Sequence, residues 1–329
     1  MSAAAPGAER PMRRWRRQRP TSLGSPADDF LGTGPQIEGL PQGASGSLGS
    51  RSRHPVMALF DNKVAFAGIV VIVILALFSF FGPDFYHTNQ TATNLVSQNL
   101  RPSARFPLGT DPEGRDELGR LMVGGQSSLE VGFGVAILAT VFGLAWGAVA
   151  GYVGGILDTV MMRIVDAFLA IPLLFFIVFL ASVIQPNLLV ILLVISLGSW
   201  MGTARLVRGE VLSLREREYV AASVLFGASS RRILVRHLVP NVLGVVVVAG
   251  TFCVADSILA FSAMAFLGLS LPPPATSWGD LLTVGINNVF NGYWWQLWPP
   301  AAALVLVELA VNVVGDGLRD VTEQRLVRR

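Results

Sequence analysis

Side chains that could carry out covalent or metal chemistry are few in this chain and lie far apart. Lys63 is the only lysine, Cys253 is the only cysteine, and the histidines are His54, His87 and His237. No Gly-Lys-Ser/Thr phosphate-binding loop is present, and one cysteine makes neither a disulfide framework nor a thiolate metal site. The histidines are too widely spaced for a local metal-binding motif. The sequence therefore predicts a protein that is not an enzyme by itself.

Two acidic side chains, Asp256 and Glu308, stand near the middle of long apolar runs. A carboxylate at the centre of a membrane is costly unless it is paired or faces water, and such residues are functional candidates by default. Our hypothesis is that one or both line a translocation path and favour substrates that carry a positive group. The alternative is a hydrogen bond or an ion pair with a neighbouring helix or a partner subunit. The sequence leaves both open.

The elements that must position these carboxylates are transmembrane helices. Apolar residues make up 52% of the chain and charged residues 14%, against roughly 25% charged residues in soluble domains. The long apolar runs approach or exceed the ~20 residues needed to cross a bilayer, or cross it with tilt. The expected fold class is all-α, a polytopic membrane protein with six transmembrane helices. The predicted spans are Val64–Phe81, Leu129–Ala150, Ala167–Ile184, Leu188–Thr203, Val242–Leu267 and Leu297–Val314.

The distribution of basic residues predicts the orientation in the membrane. Arginines cluster before the first span, between the fourth and fifth spans, and after the sixth. Those between the first two spans are offset by neighbouring acidic residues. We therefore expect a multi-pass protein of the plasma (inner) membrane with both termini cytoplasmic. The formal charge of +3 is then a topology signal, and no nucleic-acid partner is expected.

Composition divides the chain into three parts. Residues 1–55 are rich in Gly, Pro, Ser and Arg and lack sustained apolar periodicity, so a disordered cytoplasmic tail is expected there. That tail either lies on anionic lipid or is a solvated leader without a specific task. Residues 56–320 form the expected transmembrane domain, and residues 321–329 form a short cytoplasmic C-terminal tail.

Small residues and one proline allow further predictions about the spans. Gly143, Gly147 and Gly151 recur every four residues, which places them on one helical face and permits close approach of another helix. An intramolecular contact or a subunit interface would each explain this face. Pro172 is expected to kink the third span. The short loop 185–187 predicts a tight hairpin between the third and fourth spans.

The segment between the fourth and fifth spans, residues 204–241, is arginine-rich but looks ordered. Its pattern predicts a helical extension of the fourth span, then a short helix over 219–226. Gly227 suits a left-handed C-terminal cap, and Ser229 or Ser230 can cap a second short helix through Leu238. Pro240 suits the first turn of the next span. Such a protrusion fits a groove on a partner, whereas an amphipathic helix lying on lipid is the alternative.

The run EYVAASVLFGASSRRILVRHLVPN in this segment resembles the E-A-A-x-x-x-G signature of permease subunits of ATP-binding-cassette importers. Four further segments resemble the peptide- and nickel-type branch of that family. The resemblance extends from about residue 56 to residue 320. These segments are Phe106–Leu121, Gly151–Pro172, Phe266–Leu282 and Gly315–Asp320.

The resemblance implies a type I importer permease fold and several partners. It implies a second permease subunit in a heterodimer, two ATPase subunits, an extracytoplasmic solute-binding protein and the lipid bilayer. ATP and magnesium would be bound by the ATPase subunits, so no cofactor is expected in this chain. Within the coupling segment, residues 204–240, the implied ATPase-coupling residues are Glu218, Ala221, Ala222, Ser223, Gly227 and Ser229.

The sequence departs from the family pattern at two positions. Ala221 occupies the position of the signature glutamate, and Glu218, three residues earlier on a neighbouring part of the same face, is a candidate replacement. Phe261 lies where many members carry glutamate. The role of each departure is left open.

Three functions remain as hypotheses. The resemblance favours import of dipeptides or oligopeptides coupled to ATP hydrolysis by separate subunits. A permease for nickel or another small solute is an alternative in the same family. A channel or ion-coupled secondary transporter, with Asp256 and Glu308 as coupling sites, is the alternative of a different class. The ordered protrusion at 204–240 argues against the last, because such a transporter needs no ATPase dock.

Overall fold

The computed structural model describes residues 62–88 and 90–327, so the expected tail over 1–55 lies outside the described residues. The described chain is almost entirely helical, with one isolated β-bridge between Thr110 and Asp116. Its helices are α1 (Lys63–Phe85), α2 (Glu117–Val153), α3 (Gly155–Leu169), α4 (Leu173–Val183), α5 (Leu188–Arg215), α6 (Glu218–Leu225), α7 (Ser230–Phe266), α8 (Trp278–Val289) and α9 (Trp298–Val327).

Five helical runs among the described residues are long and apolar enough to cross a membrane. They comprise α1, α2, α5, α7 and the run Trp294–Thr322, which contains most of α9. A sixth crossing exists if α3 and α4 count as one bent span, since they meet at an angle of 84°. The all-α polytopic fold class is thereby confirmed.

The predicted span Ala167–Ile184 is wrong as a single helix. Helix α3 ends at Leu169, and α4 begins at Leu173 after a break that contains Pro172. Proline has no backbone N–H to donate and disfavours the helical conformation of the residue before it, so the break falls here. The expected kink is confirmed, and it separates two helices.

Polar side chains at helix starts fix where the apolar runs begin. Asn62 accepts hydrogen bonds from the backbone N–H groups of Val64 and Ala65 at the start of α1. Asn187, in the loop between α4 and α5, accepts from Val190 at 2.9 Å. Each of these bonds satisfies an otherwise unpaired amide of a first helical turn. The predicted hairpin between the third and fourth spans is present.

The glycine stripe of α2 packs against the backbone of α5. A Cβ added to Gly143 would lie 2.7 Å from the carbonyl oxygen of Trp200, and one added to Gly151 would lie 2.9 Å from that of Arg208. Gly147 meets the carbonyl oxygen of Ala204 more closely still. The stripe is therefore an intramolecular helix contact, the first of the two explanations that the sequence allowed.

The loop between α1 and α2 folds onto one end of the bundle through buried polar groups. The carboxylate of Asp111 accepts from Arg115 Nε at 2.8 Å, and both side chains are buried. Gln296 Nε2 donates to Asn99 Oδ1 at 2.8 Å and to the Thr110 carbonyl at 2.9 Å. These bonds tie residues distant in sequence into one rigid surface at the end opposite α6.

Helix α8 is anchored to that same end by Trp278, and Asp280 caps its start. The buried indole of Trp278 donates to the carbonyl of Leu121 at 2.9 Å. Ser277 and Asp280 form a reciprocal capping box at the start of α8. Burial raises the pKa of Asp280, although hydrogen bonds from Ser270 and Ser277 oppose that shift.

Candidate coupling segment and membrane cavity

Helix α6 protrudes from the bundle and is anchored by one apolar side chain. Val220 is only 2% exposed and packs in a cluster that includes Val211 of α5 and Ile233 of α7. The carbonyl of Arg217 accepts from the N–H groups of Val220 and Ala221, which starts the helix. Burial of this one side chain fixes which face of α6 points away from the bundle.

Gly227 ends α6 in the conformation that its sequence predicts. Its φ is +76°, in the left-handed region that glycine adopts most readily. Its N–H donates to the Val224 carbonyl at 2.9 Å, and the N–H of Ala228 donates to the Ser223 carbonyl at 3.1 Å. This pair of bonds is a Schellman motif, so the predicted C-terminal cap is confirmed.

The predicted second short helix through Leu238 is present but is continuous with the next span. Ser230 begins α7, which continues through a π-helical turn at Leu234–Leu238 to Phe266. Ser229 occupies the N-cap position, but its side chain makes no capping hydrogen bond. The helix after the Gly227 turn is thus the end of a membrane-spanning helix.

Pro240 lies within α7, in the first turn of its α-helical part Val239–Phe266, as the sequence predicts. A π-helical turn over Leu234–Leu238 precedes it. Proline cannot donate to the carbonyl four residues earlier, and a wider turn is one way in which a helix accommodates such a loss. Asn241 Nδ2 also donates to the carbonyl of His237 at 2.6 Å. The connection from Gly227 into the membrane is therefore continuous.

The predicted coupling residues lie together on the protrusion. Glu218, Ala221, Gly227 and Ser229 are exposed, whereas Ala222 and Ser223 are half-buried. Ser223 Oγ donates to the carbonyl of Tyr219 within α6. Their role in coupling stays a prediction.

Two exposed apolar residues were missed by the sequence reasoning. Leu225 is 87% exposed and Phe226 is 90% exposed, side by side at the end of α6. Large apolar side chains beside a turn glycine, within a segment otherwise rich in charge, were the available signal. An apolar tip so open to solvent is typical of a surface that a partner covers.

Helix α5, which carries α6, is braced against α2 and α3. Arg208 donates from Nη2 to Asp158 Oδ2 at 2.7 Å, and Arg205 pairs with Asp166 at 2.5 Å. Arg215 donates to the carbonyl of Tyr152 at 3.1 Å at the end of α2. These contacts connect the base of the protrusion to two other helices of the bundle, α2 and α3.

A cavity of about 1000 Å³ opens between α5 and α7, beside the ends of α3, α4 and α9. Asp256 is exposed on its wall, together with Phe252 and Leu259 of α7. The α5 side of the wall carries small and hydroxylated residues: Gly198, Ser199, Gly202 and Thr203. The carboxylate of Asp256 therefore lies in a cavity whose α5 side has little side-chain bulk.

Glu308 does not line this cavity. It is half-buried on α9, and its Oε1 is buried without a hydrogen-bond partner in the described part of the chain. Gly244 packs against Thr322, and Gly315 packs against Phe252, which sets an antiparallel register between α7 and α9. That register brings Glu308 within about one helical turn of Asp256.

Packing explains why phenylalanine suits position 261, where many family members carry glutamate. Its side chain is 1% exposed and lies in an apolar cluster with Val131, Ile177 and Ile191. A carboxylate at this position would be buried among aliphatic side chains, at a large desolvation cost. Phenylalanine fills the space that the surrounding helices leave.

Residues 143–328 match the family described as "Binding-protein-dependent transport system inner membrane component". Residues 56–102 match the "N-terminal TM domain of oligopeptide transport permease C". The chain belongs to this family of inner membrane components. Its multi-pass helical fold and the apolar length of its helices agree with that membership.

Named relatives of this inner membrane component are permease proteins. The chain is 38% identical over 270 residues to the dipeptide transport system permease protein DppC of Bacillus subtilis, covering 82% of this chain and 84% of that protein. It is 37% identical over 266 residues to the oligopeptide transport system permease protein OppC of the same organism, covering 81% and 87%. OppC of Escherichia coli K12 is 39% identical over 266 residues, covering 80% and 88%.

Proposed function

We propose that this chain is the permease subunit of an ATP-binding-cassette importer for dipeptides or oligopeptides. It forms half of the translocation path, and α6 docks into a separate ATPase subunit on the cytoplasmic side. The observation that carries the proposal is the apolar tip of Leu225 and Phe226, presented by a capped helix in a member of a permease family. Relatives similar over most of their length carry dipeptide and oligopeptide transport names.

The geometry supports a rigid route from the dock to the membrane. Val220 locks α6 against α5 and α7, and the Gly227 turn leads directly into α7. Both α5 and α7 line the cavity that contains Asp256. A displacement of α6 by the ATPase therefore moves both walls of the cavity, as expected for a rigid-body transition between two packings.

Shape and apolar contact dominate this dock. Ala221 supplies no charge where the family signature has glutamate, and Glu218, one turn earlier, is an exposed acid nearby. The groove beside α6 is lined by Ala221, Val224 and Arg231, among others. An ATPase surface with an apolar pocket for Phe226 fits these features.

The remaining partners follow from the same function. The rigid end surface built on Asp111 and Gln296 is a suitable platform for an extracytoplasmic solute-binding protein. The apolar side chains that α3 and α4 expose, such as Ile156 and Phe175, face lipid or the second permease. ATP and magnesium belong to the ATPase subunits, and none is assigned to this chain.

The test is reconstitution of the chain with a second permease, two ATPase subunits and a binding protein in proteoliposomes. We expect ATP-dependent uptake of di- or oligopeptides and recovery of the ATPase subunits with the permease pair. Uptake of nickel chelates without peptide uptake would assign the alternative cargo. Recovery of a stable, active chain without ATPase subunits would overturn the importer function.

A further inference from the structure

Asp256 has the cavity in front of it and no cationic partner among the described residues. The ion pairs among the described residues involve other carboxylates, namely those of Asp111, Glu113, Asp158 and Asp166. A carboxylate that faces a cavity at mid-membrane depth without a counter-ion attracts a mobile positive group. This side chain is therefore available to a ligand.

The other charged groups of the cavity lie away from Asp256. Arg319 and Glu210 also line it. The α7–α9 register places Arg319 two to three helical turns along from Asp256, towards α6. Glu210 precedes the last residue of α5 by little more than one turn, at that same end. The arginine is thus too far from Asp256 to neutralise it directly.

Glu308 is a second carboxyl group at this level of the membrane. The α7–α9 register places it within about one turn of Asp256. Its Oε1 is buried without a hydrogen-bond partner among the described residues, and Glu308 is not part of the cavity wall, so it does not itself touch a ligand. When Glu308 is ionised, it makes a positive ligand group near Asp256 more favourable.

The rest of the wall favours an organic cation. Hydroxyl groups of Ser199 and Thr203 and the apolar faces of Phe252 and Leu259 surround the space. No cluster of three metal-ligating side chains occurs among the described residues. One carboxylate with hydroxyl and apolar neighbours matches an ammonium or guanidinium group on an organic chain, and lacks the ligand set of a bare metal ion.

We infer that Asp256 forms a subsite in the translocation cavity for the positively charged group of a peptide, with Glu308 as a positioning residue behind it. This inference rests on the proposed peptide import. It predicts that the importer moves peptides with a lysine or arginine side chain faster than neutral peptides of the same shape. Gly198 and Gly202 on the opposite wall leave room for the peptide chain itself.

The test uses the complete reconstituted importer and three matched peptides that carry lysine, norleucine or glutamate at one position. Each is supplied at a concentration that saturates the binding protein, so that delivery is equal. In Asp256→Asn we expect the ratio of lysine-peptide to norleucine-peptide uptake to fall about fivefold, equivalent to ~1 kcal/mol. Asp256→Glu should retain the preference, and Glu308→Gln should reduce it by a smaller factor.

The matched control is Glu130→Gln. Glu130 is an exposed carboxylate within α2 that is not part of the cavity wall, so this variant should leave the uptake ratio unchanged. Norleucine-peptide uptake by Asp256→Asn reports correct folding. An unchanged ratio in Asp256→Asn, or an equal fall in Glu130→Gln, overturns the subsite while leaving peptide import intact. Absence of all peptide uptake by the wild type instead refutes the proposed function.

Discussion

Arg208 on α5 donates from Nη2 to Asp158 Oδ2 on α3 at 2.7 Å, across a separation of 50 residues in sequence. A second bond from Nε to Oδ1 makes the pair bidentate, a geometry that strengthens arginine–carboxylate pairs. The neighbouring pair of Arg205 with Asp166 is single and more exposed. The two pairs together fix α3 to the helix that carries α6.

The difference between these pairs gives a first prediction. Asp158→Asn should lower the thermal stability of the purified permease complex, at a cost of about 1 kcal/mol, because a bidentate and largely buried carboxylate is lost. Asp166→Asn removes a half-exposed pair and should cost about 0.5 kcal/mol or less. Thermal unfolding of both variants in detergent measures the two losses of stability. Equal losses in the two variants would contradict the assigned difference.

A second prediction concerns the turn at Gly227. Substitution with alanine should cost roughly 1–2 kcal/mol, because a side chain disfavours the left-handed conformation. No atom of the described residues lies within 4 Å of the added Cβ, so the cost is conformational and not steric. ATP-dependent uptake should fall severalfold, and Gly227→Val should be more severe.

Gly209→Ala is the control for this turn. Gly209 also has open space around an added Cβ, but it lies within α5 with ordinary helical geometry. Alanine there should be neutral or slightly stabilising. If both alanine variants keep wild-type uptake, the conformation at residue 227 is not required for coupling.

A third prediction concerns the apolar tip. Phe226→Ser should weaken retention of the ATPase subunit about tenfold, because a buried aromatic anchor is worth on the order of 1.5–3 kcal/mol. Phe290→Ser is the matched control, since Phe290 is 94% exposed at the end of α8. Pull-down of the ATPase at graded concentrations measures retention. Glu218→Ala should be tolerated in the same assay if shape dominates the dock.

A fourth prediction concerns the α2–α5 contact. Gly147→Ala should destabilise the chain by about 1–3 kcal/mol, because the added methyl group meets the backbone carbonyl of Ala204. Backbone cannot rotate away as a side chain can, so the helices must separate. Thermal unfolding, with Gly209→Ala again as the control, measures the cost. A Gly147→Ala variant of wild-type stability would show that the helices separate freely.

How much could be predicted from the sequence depends on how far apart in the chain the interacting residues are. The spans near Val64–Phe81 and Val242–Leu267 were predictable because apolar length is a local property. Gly227 was predictable because a left-handed cap favours one residue type. The third span was wrong as a single helix, since the size of a bend at Pro172 depends on the helices packed around it.

The sequence by itself determined the membrane class, the approximate spans and the turn at Gly227, because chain length in hydrocarbon and backbone conformation are set within a few residues. Only the tertiary structure decided that Arg208 meets Asp158 and that Asp256 lines the cavity whereas Glu308 does not. Helices α7 and α9 are apolar around most of their surface, so their rotation cannot be read from the pattern. It is fixed by close contacts such as Gly315 against Phe252, between residues far apart in the chain.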